Sequence, residues 1–378
     1  AWDEHGRRAF HFRTDAPIPN QFVIASARYA VARATHGDVA IEVYHHPEHT
    51  QNVARIAGAA SESLRTFEES FGPYPHPHLR FAEVPAQLRN YSAFALPGVI
   101  FLGENRGFLV DARDPRRLDL VHRRVAHEVA HQWWGYTLIP LNVPGATAIT
   151  ESLAKYAELI AIEKTYGRER VRQSLTYELD RYLAERTSER GSEPPLARAG
   201  GQPYLYYRKG ALVMYALKDL LGERAVNAAL RDLLREHGGP RGRPTTAHLV
   251  QHLRANSAPD HHPLIDQWLN DVVLYDLKLA SATSRKRADG RYDVTIRVAA
   301  AKHRESGADR TPLPLAEEIE LGLFSADDTP LHVAKHRIRG GVQEITLVAG
   351  RAPAFAAVDP YVTRIDVNRF DNLRGIDR

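Results

Sequence analysis

Apolar positions along this 378-residue chain change period several times. Up to residue 46 they alternate. QFVIASARYAVAR and DVAIEVYHH place apolar or β-branched residues at every second position, the period of a half-buried strand. Over 48–71 the period becomes helical, with Val53, Ile56, Ala60, Leu64 and Phe67 on one stripe. FGPYP ends that helix, because two prolines and a glycine cannot continue it. LRFAEVP and PGVIFLGE predict short strands. From Asp114 the pattern is helical to about 273. The first of these helices is expected to be capped by Asp114, to carry Pro115 at its first position and to stop at Gly135. Further helices are predicted over 147–166, 168–186, 205–221, 223–236, 245–255 and 260–271. TSERGSEPPLARAGGQP, at 187–203, predicts a long loop of the kind that is functional or mobile. Beyond about 275 the period returns to two. LKLASATSRKRADGRYDVTIRVAA holds two strand patterns around Asp289-Gly290, a hairpin signal, and EEIELGLF, VQEITLV and PAFAAVD continue as strands. The pattern predicts an α+β, multi-domain chain. It comprises an N-terminal β segment (1–46), a mostly helical domain (47–273) and a C-terminal β-sandwich (274–378).

Composition narrows this picture by exclusion. Hydrophobic content of 43% and charged content of 25% are those of a globular protein with a sizeable core. Fifty basic against 46 acidic residues leave a net charge of +4, so no basic stripe for nucleic acid is implied. With no cysteine there is neither a disulfide framework nor a thiolate metal ligand. No apolar run of about 18 residues suited to a bilayer occurs. The start, AWDEHGRRAFHF, has no initiator Met and reads as a domain cut from a longer chain.

The candidate chemistry lies in HEVAHQWWG, residues 127–135. On an α-helix, residues four apart are rotated by roughly 40° and rise about 6 Å. His127 and His131 therefore project from one face and can reach one cation at about 2.0–2.1 Å. Glu128 is angled differently, and can instead hold a water beside that cation and take its proton, the mechanical reason for H-E-x-x-H. The competing reading is two helical histidines with partners elsewhere, in a chain with 19 histidines. The pairs His45-His46 and His261-His262 are expected at the surface. For a third ligand, Glu151 follows His131 with 19 residues between them, near the start of the following helix, where a helix–loop–helix can return to the cation. Glu158 lies on roughly the same face and competes. It is expected to pair with a cation or face solvent.

HEVAHQWWG followed by ESLAKY resembles the aminopeptidase N family of gluzincin metallopeptidases. The family's second motif, a tyrosine in Y-x-K-G, is matched by Tyr207-Arg208-Lys209-Gly210 within PYLYYRKGALVMYAL, 76 positions after His131. The resemblance covers most of the chain. More narrowly, the wording is similar to the peptidase domain fused behind permease segments of bacterial ABC-type transporters. It implies a thermolysin-like catalytic domain, a peptide substrate and one zinc ion per chain held by His127, His131 and Glu151. Glu128 would be general base and proton shuttle, and Tyr207 would donate its O–H to the oxyanion. The narrower likeness implies a membrane-tethered, extracytoplasmic setting beside permease segments. Tyr204 and Tyr206 adjoin Tyr207, and only the Lys-Gly that follows selects among the three.

Two departures from the family pattern stand out. The spacing from His131 to Glu151 is one residue longer than the family's, and IPLNVPGAT can absorb it. The family's G-A-M-E-N, whose glutamate grips the substrate's α-amine, is replaced by SAFAL within VPAQLRNYSAFALPGVIFLGE, with Ala95 at the glutamate position. A free ammonium group there would lose a charge-assisted hydrogen bond. Glu83 and Glu104 flank the stretch as alternative partners, or as the outward face of a strand. Trp133 and Trp134 are expected as core packing. Arg186, Arg208 and Lys209 are expected as solvated basic residues, the alternative being contact with a peptide C-terminus. Aminopeptidase-like hydrolysis is the leading expectation. A metalloendopeptidase, or an inactive transporter-associated binding module, is the alternative.

Overall fold

The computed structural model describes residues 1–14, 17–87, 92–189, 191–239 and 242–377. Residues 88–91, inside the stretch set against G-A-M-E-N, and Arg190, inside the long loop, lie outside the described set. The chain divides into two compact units, one of 1–140 with 234–243 and one of 141–233 with 244–378.

In the first unit, a short hairpin of β1 (Trp2–Glu4) and β2 (Arg7–Ala9) precedes a five-stranded sheet. The sheet strands are β3 (Ala30–His36), β4 (Val39–His45), β5 (His78–Val84), β6 (Ala93–Leu96) and β7 (Val99–Gly103). Their order is β3-β4-β5-β7-β6, with β4, β5 and β7 parallel and the outer pairs antiparallel. The predicted strand signal of residues 21–29 is not realised. Phe22 and Ile24 are exposed and find no neighbouring strand to bury them, so alternation alone does not form a ladder there.

The predicted apolar stripe is buried on α1 (Val53–Phe71), where Ile56, Ala60, Leu64 and Phe67 are all fully covered. Each large member contributes on the order of 1.5–3 kcal/mol by leaving water. Gly72 closes the helix at φ 115°, a backbone state natural to glycine. The second helix of the unit, α2 (Leu120–Ala130), starts later than Asp114-Pro115 predicts. Asp119 is the cap, accepting from the amides of Val121 and His122 at 3.0 and 2.9 Å. Asp114 forms its own turn, accepting from the Arg116 amide at 3.0 Å. Two aspartates five positions apart offer the same local signal, and only one meets free helical N–H groups.

In the second unit the helices are α3 (Leu153–Tyr166), α4 (Arg168–Arg186), α5 (Gly210–Leu221), α6 (Glu223–His237, whose end belongs to the first unit), α7 (Thr246–Ala255) and α8 (His262–Asn270). Two of the predicted helices carry a wider π turn at their start. Ala148–Ser152 precedes α3 and Tyr204–Lys209 precedes α5. The sandwich follows as two four-stranded antiparallel sheets. One contains β8 (Val272–Lys286), β9 (Tyr292–Ser306), β10 (Asp309–Leu313) and β13 (Gly341–Ala349). The other contains β11 (Ala316–Phe324), β12 (Pro330–Arg339), β14 (Phe355–Val358) and β15 (Leu373–Gly375). Leu277, Ile296 and Val298 of the first sheet share one buried core with Ile319, Leu321 and Val358 of the second. The α+β class read from the periodicity, with a helical region between N-terminal strands and a β-sandwich, is the observed one.

Candidate metal centre and hydrolytic site

The last turns of α2 carry His127, Glu128 and His131, with His131 as the helix's C-terminal cap at φ −61°, ψ −19°. The imidazoles of His127 and His131 lie 4.8 Å apart between ring centres, at 88° to one another. His131 Nδ1 is 3.0 Å from the carbonyl oxygen of Trp134. A carbonyl can only accept, so the proton sits on Nδ1 and the lone pair on Nε2 is left for a cation. Glu128, one position behind His127, is buried at 8% exposure.

Tertiary packing holds this helix end rigidly. Trp133 and Trp134 are core residues, as expected, with Trp133 edge-on to Phe67 at 5.8 Å and Trp134 edge-on to Phe71 at 5.0 Å. Trp133 Nε1 donates to the Gly72 carbonyl at 3.1 Å. Gln132 is fully buried and ties the helix end to the β6–β7 turn. Its Oε1 accepts from the Gly98 amide at 2.9 Å, and its Nε2 donates to the Leu96 carbonyl at 3.0 Å. Tyr136 donates its hydroxyl to the Ala95 carbonyl. These two tethers are missed by motif reading, because Gln132 and Tyr136 both lie beyond the five residues of the pattern.

Ala95 is 4% exposed on β6, pairing with Ile100. Of the flanking carboxylates, Glu83 accepts from the His46 amide at 2.6 Å and lies 2.5 Å from His49 Nδ1. Glu104 accepts from the Ala86 amide at 3.0 Å. His45 corrects the surface expectation. It closes β4 at 6% exposure, its Nδ1 turned onto the His46 carbonyl at 2.8 Å.

In the second unit, Glu151 sits on the π turn Ala148–Ser152 and Tyr207 on the π turn Tyr204–Lys209. π turns are rare and recur at functional sites. Ser152 Oγ donates to the Tyr206 carbonyl at 2.8 Å, so the two turns are fastened to each other. The rings of Tyr206 and Tyr207 are 4.8 Å apart. Burial, and then the charge of Glu151, raises the Tyr206 phenol above its ordinary range. Tyr204 is buried and donates to Glu189 at 2.8 Å. Glu158 accepts from Lys155 at 2.6 Å, both fully covered. Arg186, Arg208 and Lys209 are not the solvated residues expected. Each is ion-paired, and Lys209 is only 1% exposed. Their carboxylate partners come from distant segments, which no local pattern announces.

A region of 57–268 matches the family model described as the peptidase family M1 domain, over more than half of the chain. The chain belongs to peptidase family M1. Among curated proteins it is similar to human endoplasmic reticulum aminopeptidase 2, at 27% identity over 62% of this chain and 25% of that protein. It is also similar to aminopeptidase 2 of Candida albicans, at 25% identity over 62% of this chain and 26% of that one. It therefore spans about a quarter of the length of these relatives. Among solved structures, aminopeptidase A of Legionella pneumophila, crystallised in complex with aspartic acid, superposes with a TM-score of 0.57. The sequence identity is 16%, and the match covers 90% of this chain and 38% of that one. That likeness concerns the fold.

Proposed function

We propose that this protein is a zinc-dependent peptide hydrolase of aminopeptidase-like action. The observation that carries the reading is the His127–His131 pair on one helix face, with Nε2 of His131 left as acceptor by its bond to Trp134. Two imidazoles and a carboxylate form a donor set suited to zinc, and the chain offers no thiolate to compete. His127, His131 and Glu151 would hold the ion. When bound, zinc supplies Lewis acidity that polarises a peptide carbonyl and brings a water's pKa towards neutrality. Glu128 takes the proton of the attacking water on its carboxylate and returns it to the departing amine nitrogen. Tyr207 donates its O–H to the negative charge developing on the carbonyl oxygen, and comparable single donors contribute about 3–4 kcal/mol.

Family membership and aminopeptidase relatives support this assignment. A second reading, a metalloendopeptidase, is favoured by one observation: Ala95 offers no carboxylate where the family's amine-binding glutamate is expected. The test compares a free-amine dipeptide amide with its N-acetylated form, using wild type and Glu128→Ala. Faster cleavage of the free amine supports aminopeptidase action, and equal rates remove that label. Equal, negligible turnover by both proteins would leave a binding module. The narrower placement, as a domain tethered outside the cytoplasm beside transporter permease segments, rests on motif wording alone. Membrane fractionation of the native protein tests it. Among the described residues no helix is long and apolar enough to cross a membrane.

A further inference from the structure

Immediately after Tyr207 come two cationic side chains, Arg208 partly covered and Lys209 fully buried. A buried charge is costly unless it is paired and hydrogen-bonded, so their partners have a reason to be where they are. Arg208 donates to Glu178 of α4 at 2.9 Å, and Glu178 also receives Lys155 at 2.9 Å. Lys209 donates to Glu193 at 2.7 Å.

Glu193 comes from the polar loop between α4 and the π turn. It is the meeting point of three donors: Lys209, Arg186 Nε at 2.9 Å and the Tyr182 hydroxyl at 2.8 Å. Arg186 continues to Glu305 on β9 at 2.6 Å. Burial by itself would raise the Glu193 carboxyl, but Lys209 and Arg186 hold it below its ordinary value.

The backbone these ions flank is unusual. The Gly210 amide reaches back five residues to the Leu205 carbonyl, the wide turn that gives Tyr204–Lys209 its π geometry. A wide turn is less favourable than continued α-helix, and it re-aims every side chain within it. Lys209 is the last residue of that turn, and it is this residue whose ammonium Glu193 holds. The loop at 187–203, read from sequence as functional or mobile, is anchored here through half-buried Glu193 and buried Leu196 and Ala197.

We propose that Glu193 is a positioning residue for Tyr207: by holding Lys209, it fixes the π turn that aims the phenol. This rests on the reading of Tyr207 as oxyanion donor. The competing account, an ion pair that only stabilises the fold, predicts different measurements.

The test is a double-mutant cycle on the full chain loaded with zinc. Glu193→Gln is expected to lower kcat about 10- to 100-fold with KM within about twofold, the pattern of a lost transition-state interaction. In the Tyr207→Phe background the same change is expected to lower kcat less than about twofold, because its route of action is gone. Equal losses in both backgrounds would overturn the proposal. If Glu193→Gln does not fold with Lys209 stranded, the neutral pair Glu193→Gln with Lys209→Met replaces it. The pair is expected to fold and still show the low kcat, and wild-type kcat in the pair would also overturn the proposal.

A readout without turnover separates the two readings. With 3-fluorotyrosine placed at position 207, the ¹⁹F line is expected to shift or broaden in Glu193→Gln. An unchanged line refutes positioning even if wild type hydrolyses peptides. A changed line with an inactive wild type keeps positioning and refutes the hydrolase reading.

Discussion

His131 donates its Nδ1 proton to the carbonyl of Trp134, three residues further on and 3.0 Å away. The acceptor is main chain of a residue that is itself fully buried. The imidazole's tautomer is therefore set before any ion arrives, and outer-shell partners of this kind are worth about 10–100-fold in metal affinity. His131→Ala removes the ligand together with its orienting bond. Zinc measured by elemental analysis after dialysis is expected to fall from one ion per chain to near zero. Retention of a full equivalent would refute the assignment of the site.

Gln132 is expected to be the most costly single truncation around the helix end. Gln132→Ala leaves the Gly98 amide and the Leu96 carbonyl without their buried partner. Each such group costs about 1–3 kcal/mol. The expected loss is roughly 2–5 kcal/mol, read as a fall in the urea midpoint at constant m-value. A loss under about 1 kcal/mol would show that the β6–β7 turn is held by other contacts.

Gly210 closes the π turn beside Ser152. A Cβ built on it would meet Ser152 Oγ and would lie 2.6 Å from Ser152 Cβ. The serine cannot step aside without giving up its bond to the Tyr206 carbonyl. Gly210→Ala should cost about 1–3 kcal/mol by overpacking. Ser152→Gly in the same chain should recover at least half of that. Thermal unfolding of the two variants decides it, and absence of any rescue would place the strain elsewhere.

Glu193 also gives stability a pH dependence of definite sign. Its carboxyl is lowered in the folded state from an ordinary value of 4.5. Between the folded and unfolded values the unfolded chain binds more protons, so stability rises with pH there. The contribution is fully present above about 4.5 and is lost as pH falls through the folded value. Urea midpoints from pH 3 to 7 should therefore fall less steeply on the acid side in Glu193→Gln than in wild type. Parallel curves would mean that the carboxyl titrates normally.

How much of this was legible beforehand varies with the range of the interaction. The hairpin around Asp289-Gly290 appears as expected, β8 pairing with β9 through a turn in which Gly290 takes φ 85°. Alternation and a turn residue are local, and both act within a few bonds. The cap of α2 is Asp119 and not the expected Asp114, because a sequence shows candidate acceptors but not which of them faces free N–H groups. The π turns leave no mark in the sequence because, over five or six residues, their apolar pattern barely differs from that of an α-helix.

The basic residues show the limit most clearly. Glu178 lies 30 positions from Arg208 and Glu193 16 positions from Lys209. No periodicity links residues so far apart, so the three cations looked like a solvated surface.

By itself the sequence determined the parts that one helical turn or one hairpin can enforce. These are two imidazoles on a common face, a glutamate behind them, and alternating strands with inward apolar rows. Backbone hydrogen bonds and steric preferences transmit such order over a few residues, whatever the rest of the chain does. Only the tertiary structure decided which aspartate caps α2, that Gln132 binds the helix end to a strand turn, and that a loop carboxylate reaches Lys209. Those outcomes depend on which distant segment excludes water from a polar group and supplies its partner, and that is a property of the packed chain.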